Sequence, residues 1–416
     1  TLVIRLANIV TKANGRVNQR EIVQLNWIRA ECKRVLERVP LADEPEKPFA
    51  VAGRQALKNT SFEIVPSKHA SDDDLPVAEL IDTESPEQIL EEALAELDTL
   101  IGLACIKHEI RSLINFLKIQ KARVQVNLPQ TPISLHAVFS GNPGTGKTTV
   151  ARLLGRLYAG MGMLTRGHLV ETDRAGLVAE YAGQTAPKAH KKIDEARDGV
   201  LFIDEAYSLV SEKGDDPYGA EALQVLLKRM EDDRDRLVVV LAGYPKPLTR
   251  LIQSNPGLAS RFGRHFAFPD YSESELGRIF ESLCHKNRYE LPPLVRVKLL
   301  LGFHDLLKRR DERFGNGRLV RNVFEQAIGR LANRITGIAP LTREVLTTLQ
   351  PPDIVMDDVA DAVWSSLDSK TRCLHSVCPH CQHKCRLPQL LLGQKVHCKQ
   401  CQGESFQVDW ADVIEE

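Results

Sequence analysis

Five short runs of consecutive apolar residues punctuate the middle of the chain: HAVFS, HLVET, GVLFID, LVVVLAG and HFAF. Longer stretches lie between and before them, with apolar positions recurring every three or four residues. In IKHEIRSLINFLKIQKARV, Ile106, Ile110, Leu113, Ile114 and Leu117 fall on one helical face. In SPEQILEEALAELDTLIGL, Ser85 can cap, Pro86 suits the first helical position and Gln88 completes a capping box. Buried strands alternating with helices predict a parallel sheet covered on both faces, an α/β class. After Leu291 the pattern is helical only, up to about Leu367. Residues 1–40 also predict helices. Val23, Leu25, Trp27 and Ile28 sit close to helical spacing, and Asn14-Gly15 supplies a turn. Between 41 and 84 the chain is rich in Pro, Asp, Glu and Ser, as a flexible linker is. The expected organisation is a helical segment at 1–40, a linker at 41–84, an α/β domain at 85–290, a helical domain at 291–368 and a tail at 369–416.

Composition narrows the classes of function. Lys+Arg and Asp+Glu balance at 55 each, so no global field favours nucleic acid or an anionic membrane. No apolar run approaches the ~18–20 residues that span a bilayer, and the N-terminus has no signal-peptide pattern. Six of the nine cysteines fall between Cys373 and Cys401. That clustering favours metal binding in a reducing cytoplasm over disulfides.

The segment GNPGTGKTT comprises Gly141, Asn142, Pro143, Gly144, Thr145, Gly146, Lys147, Thr148 and Thr149, and it fits G-x-x-x-x-G-K-[ST]. It lies between the strand HAVFS and the helix TTVARLLGRLYAG, the context a phosphate-binding loop requires. Glycines let backbone N–H groups approach phosphates, and the helix adds its positive end. Lys147 is expected to reach the β- and γ-phosphates and Thr148 to hold Mg²⁺. GVLFIDEAYSL then carries Asp204 to the end of a buried strand, placed to hold Mg²⁺ through water, with Glu205 placed to polarise an attacking water. ATP hydrolysis is the expectation.

In the tail, Cys378-x2-Cys381 and Cys398-x2-Cys401 are separated by sixteen residues. Two such knuckles predict a zinc ribbon: four thiolates close a tetrahedral Zn²⁺ site that supplies the folding energy of a segment too small for its own core. Cys373 and Cys385 are left over, and His380, His383 and His397 read as bystanders. Six Lys/Arg and no Asp or Glu lie between Lys370 and Gln402, which suits phosphate backbones or simply offsets thiolate charge. Protein contact and nucleic-acid contact are both open for this tail.

From about Leu97 to Leu367 the chain resembles the AAA+ ATPases of the CbbX/CfxQ type, a group that includes red-type Rubisco activase, stage V sporulation protein K and type VII secretion ATPase chaperones. LDTLIGLACIKHEI, HAVFSGNPGTGKTTVARLL, LVAEYAGQTAPK, GVLFIDEAYSLV, GAEALQVLLKRMEDDRDRLVVVLAGYP, NPGLASRFGRHFAFPDY and GNGRLVRNVFEQAI carry the resemblance, in that order. It implies a P-loop AAA+ core with a helical lid, working as a ring hexamer that remodels a protein substrate. Ile101 and Gly102 would line the adenine pocket. Arg261, or else Arg264, would be the finger inserted into a neighbouring subunit's ATP. Arg318 would be the sensor-2 arginine, reached through a flexible GNG, with Arg321 able to share that role. Tyr181 in EYAGQT would be a pore-loop paddle gripping the substrate. A polar sensor-1 residue is lacking, and Tyr244 stands near its position. Residues 1–40 resemble a TerB-like helical module. An alternative of another class is an ATPase switch associated with nucleic acid through the basic ribbon.

Overall fold

The computed structural model describes residues 85–129, 131, 133–210, 216–364, 373–388, 391–401, 403 and 405–413. The helical segment expected at 1–40 and the linker lie outside these residues. The described chain opens with α1 (Pro86–Thr99), whose capping box is present: the Gln88 N–H donates to Ser85 Oγ at 3.2 Å, and the Ser85 N–H donates to Gln88 Oε1 at 2.8 Å. There follow α2 (Ala104–Gln125), β1 (Ala137–Gly141), α3 (Lys147–Gly160), β2 (Leu169–Thr172), the short α4 (Arg174–Leu177), α5 (Thr185–Glu195), β3 (Gly199–Ile203), α6 (Pro217–Asp232) and β4 (Leu237–Gly243). Then come α7 (Pro245–Ser254), α8 (Pro256–Arg261) and β5 (Arg264–Phe268).

β1 to β5 form one sheet in the order β2-β3-β4-β1-β5, every pair parallel. All seven residues of β4 and all five of β3 are buried, which is why they read as unbroken apolar runs. Their side chains alternate between two cores. Val200, Phe202, Val238 and Val240 join Phe139 and the apolar faces of α1 to α3. Leu201, Ile203, Val239 and Leu241 join Val138 and residues of α5 to α8. β1 lies between β4 and β5, so the chain leaves its carboxyl end at the point where the strand order reverses. Open parallel sheets bind ligands there.

The helical group contains α9 (Glu273–Asn287), α10 (Pro293–Lys308), α11 (Gly317–Ile335), α12 (Arg343–Thr347) and α13 (Asp361–Trp364). α9 packs against both α10 and α11, and Phe280 and Phe324 meet edge-on at 5.6 Å. The tail forms β6 (Cys373–Val377), β7 (Lys384–Pro388), β8 (Lys395–Val396), β9 (Phe406–Gln407) and β10 (Asp412–Val413). β6 pairs antiparallel with β7 and β10, and β8 with β9. Among the described residues no helix is long and apolar enough to cross a membrane.

Candidate functional site

A cavity of about 510 Å³ opens at the carboxyl ends of β1, β3 and β4. Gly141, Pro143, Gly144, Gly146, Lys147, Thr148 and Thr149 form its floor, and Asp204 and Glu205 enter from the end of β3. Ile101 comes from the α1–α2 connection, Tyr244 from the end of β4, and both Arg318 and Arg321 from α11. Residues more than two hundred positions apart thus meet around one space.

The floor is shaped by backbone that other residues cannot adopt. Gly144 has φ +72°, and a Cβ there would lie 2.3 Å from the Gly315 carbonyl oxygen. Gly146 has φ +92° and starts α3, so the unpaired N–H groups of that helix face the cavity. Lys147 Nζ donates to the carbonyls of Gly141 (2.9 Å) and Asn142 (2.8 Å). Burial lowers the Lys147 pKa to about 8, with Asp204 opposing the shift and Arg318 adding to it. Among the remaining loop residues, Thr145 is buried and its hydroxyl donates to the Asn142 carbonyl at 2.8 Å. Asn142 and Thr145 therefore brace the loop from behind.

At the end of β3 the Glu205 N–H donates to Asp204 Oδ1 at 3.0 Å, and Glu205 has φ +47°. That turn leaves Glu205 exposed while Asp204 is half-buried, and both line the cavity together with Thr148. A hydroxyl and a carboxylate across the loop are the oxygen donors Mg²⁺ takes in such sites, together with phosphate and water. When bound, the ion would neutralise charge on the transferring phosphoryl group.

Several residues that motif reading did not single out complete the site. Leu100, Leu103, Ile279 and Leu283 give the cavity an apolar side, and Tyr271 lines it too. The Tyr271 hydroxyl donates to the Thr145 carbonyl at 3.2 Å, and burial pushes its pKa up to about 12. Asn316 is fully buried. Its Oδ1 accepts from the Tyr271 N–H at 3.0 Å, and its Nδ2 donates to Asp270 Oδ1 at 2.7 Å. Asp270 Oδ1 also accepts from Asn142 Nδ2 at 2.9 Å, and the Gly317 N–H donates to the Gly144 carbonyl at 3.1 Å. The GNG segment, expected to be flexible, is instead pinned to the phosphate loop. Neither neighbour of Asn316 has a side chain, and one asparagine fills the gap with polar atoms.

Other predicted residues stand elsewhere. Gly102 is outside the cavity lining; with φ +63°, it lies so close to α9 that a Cβ would be 2.3 Å from Glu275 Oε1. Arg261 pairs with Glu231 at 3.1 Å and donates to the Gly257 carbonyl. Arg264 donates from Nε to the Ser134 carbonyl at 3.4 Å. Neither arginine lines the cavity of its own chain. Tyr181 is 67% exposed on a loop where Gly183, at φ +77°, has open space around it. Tyr244 and Tyr207 face each other with ring centroids 6.1 Å apart.

The tail gathers Cys378, Cys381, Cys398 and Cys401, with all four sulfurs within 4.8 Å of one another. Cys378 and Cys401 are 3.8 Å apart, Cys381 and Cys398 3.7 Å. A tetrahedral ion bound at ~2.3 Å to each sulfur requires sulfur separations of about 3.8 Å, so the donor set fits a metal. Backbone N–H groups of Cys401 and Gln400 aimed at Cys398 draw its thiol down to about 6. Cys385 stands at the edge of the cluster, 3.8 Å from Cys398.

A parallel sheet in this order, a glycine loop carrying Lys147-Thr148 at the switch point, an Asp-Glu pair at the end of β3 and two arginines from a helical lid define a P-loop ATPase with a lid domain. The profile of the "ATPase family associated with various cellular activities (AAA)" matches residues 137–270, and that of the "AAA lid domain" matches 272–362. The protein CbbX of Cereibacter sphaeroides is 41% identical over 266 residues, covering 63% of this chain and 85% of its own. The chloroplastic ribulose bisphosphate carboxylase/oxygenase activase of Cyanidioschyzon merolae is 41% identical over 66% of this chain and 94% of its own. The ESX-1 secretion system protein EccA1 of Mycolicibacterium smegmatis is 38% identical over 78% of this chain and 58% of its own. The chain belongs to the AAA+ ATPases of the CbbX/CfxQ type and is an ATP-hydrolysing enzyme.

Proposed function

We propose that this ATPase is a Mg²⁺-dependent motor that remodels a protein substrate as a ring hexamer. Lys147 and the N–H groups at the start of α3 hold the β- and γ-phosphates, Thr148 and Asp204 hold Mg²⁺, and Glu205 orients the attacking water. Ile101 takes the base end of the nucleotide, with Gly102 setting the turn behind it. Arg318, with Arg321 a turn further on, carries the state of the γ-phosphate to the lid. The observation that carries the ring is the placement of the arginines. The cleft gathers every other catalytic group, yet Arg261 and Arg264 lie outside it, available to the cleft of a second copy. A finger supplied this way is worth roughly 10³–10⁵ in rate.

Tyr181 grips the substrate. Its exposure argues against a packing role, and an aromatic ring gives sequence-tolerant contact at low entropy cost. The relative named ribulose bisphosphate carboxylase/oxygenase activase acts, by its name, on an enzyme, which supports a protein substrate here. The four thiolates hold structural Zn²⁺, with no position left open for catalysis.

Glu205→Gln, which keeps the carbonyl but cannot polarise water, should bind ATP, assemble and trap its substrate, with hydrolysis at least about a hundredfold slower. Tyr181→Ala should hydrolyse ATP and retain nothing. Crosslinking in cells followed by identification of the retained proteins reads both. Hydrolysis stimulated by DNA or RNA, with Tyr181→Ala indistinguishable from the parent, would contradict the motor.

A further inference from the structure

α9 faces two ways. Ile279 and Leu283, one helical turn apart, line the nucleotide cavity. Gly277 and Glu281, each two positions from Ile279, lie about 160° around the helix from it. That opposite face receives the end of the cysteine-rich tail. The Trp410 ring lies on Gly277 so closely that a Cβ there would be 2.3 Å from it. Trp410 Nε1 donates to Glu281 Oε2 at 2.7 Å. Arg296, from α10, pairs with Glu281 and stands 5.3 Å over the indole. Three residues beyond Trp410, the Val413 N–H donates to Glu273 Oε1 at 3.1 Å, so β10 ends on the first turn of α9. Gly393 rests against Pro293 at the start of α10. Trp410 is 5% exposed.

These contacts join two of the lid helices, α9 and α10, to the second half of the tail. The mid-helix glycine is explained by them alone: any side chain at 277 would expel the indole. The N-terminal turn of α9 also presses Glu275 onto Gly102, beside Ile101 on the apolar side of the cleft. A shift of α9 is therefore felt at both ends of the contact chain.

We propose that Trp410 fastens the ribbon to α9 as part of the lid, so that the state of the nucleotide cleft and the seating of the ribbon are energetically coupled. The ribbon is then an extension of the lid, carried with it through the ATPase cycle, and any partner held by the ribbon changes nucleotide affinity. Trp410 is a positioning residue: it touches no nucleotide and acts through α9. The coupling rests on nucleotide occupying the cleft, and linkage requires that it run in both directions.

Two measurements on the full chain test it, with the fluorescent nucleotide mant-ADP and with unlabelled ADP as probes. In the first, Trp410→Ala should weaken mant-ADP binding about fivefold or more, the lower range of measured couplings, and Trp410→Phe should fall between it and the parent. In the second, ADP should slow amide hydrogen exchange in residues 408–413 of the unaltered chain, the Val413 N–H included. Affinity unchanged within about twofold in Trp410→Ala, with its tail amides fully exchanging, would overturn the proposal. Should Trp410→Ala not fold, tail exchange in the parent that is indifferent to ADP overturns it equally. A parent chain that fails to bind mant-ADP at all would instead refute the reading of the cleft.

Discussion

Lys147 shows how a single side chain is tuned by its place. Its ammonium is half-buried and, among the described residues, bonded to two loop carbonyls, with Arg318 near enough to add repulsion. Its pKa of about 8 means that a growing share of molecules lose the charge as pH rises. Polyphosphate favours the charged form, so binding raises the pKa and takes up a proton. Nucleotide affinity should therefore be flat below pH 7 and fall through pH 8 by up to about tenfold per unit. Isothermal titration across that range checks the sign, and Lys147→Arg, which cannot lose its charge, should flatten the curve. The phosphate-loop residues lining the cleft were legible in the sequence because phosphate binding is done by contiguous backbone, so the glycines and Lys147-Thr148 sit at fixed offsets. Asn316 and Asp270 had no such signature. Their partners are Pro143, Asn142 and Tyr271, and only the folded chain brings these together.

At the scale of elements, the junction between the phosphate loop and α11 is a polar connection with no slack. Asn316 satisfies Tyr271, Asp270 and the Phe314 carbonyl at once in a buried space. Asn316→Ala leaves the Tyr271 N–H without its partner and takes one of two donors from Asp270 Oδ1, which keeps Asn142, at a cost of about 1–3 kcal/mol for a buried unsatisfied group. Because Arg318 follows two residues later, the same change should also lower kcat while leaving the phosphate loop itself intact. Thermal unfolding and steady-state hydrolysis measure the two effects separately, and unchanged values in both would show the junction to be passive. The inner strands β1, β3 and β4 were readable because burial on both faces demands apolar runs, whereas β2 and β5 at the sheet's edges are only partly buried. The GNG turn misled for a physical reason: glycines signal freedom in the chain, but here they signal close approach, with Gly144 and Gly317 joined backbone to backbone. The seating of the ribbon on α9 was invisible in the same way, since Gly277 and Trp410 carry no pattern until they touch.

In the whole molecule, each part of the proposed cycle is held by a separate face. The cleft holds the groups that bind and polarise, the opposite side of α9 holds the ribbon, the loop after β2 exposes Tyr181, and α8 leads to Arg261. Among the described residues the Arg261 guanidinium is held by Glu231 and the Gly257 carbonyl of its own helix, and its Nε is buried without a hydrogen-bond partner. Such a tether is easily exchanged for a phosphate oxygen of another copy. The parallel sheet and the helical stretch after it were implied by the alternation of patterns; the order of the strands was not. Which arginine serves which cleft is a relation between molecules, and one chain's periodicity carries no trace of it.

The central claim is that hydrolysis occurs between copies, each cleft completed by an arginine of its neighbour. Mixing Arg261→Ala chains, whose clefts are intact, with Glu205→Gln chains, whose fingers are intact, tests it through the ATPase rate of the mixture. The two nearly inactive proteins should together hydrolyse ATP well above the sum of their separate rates. An Arg261→Ala protein as fast as the parent, or a mixture no faster than that sum, would contradict it.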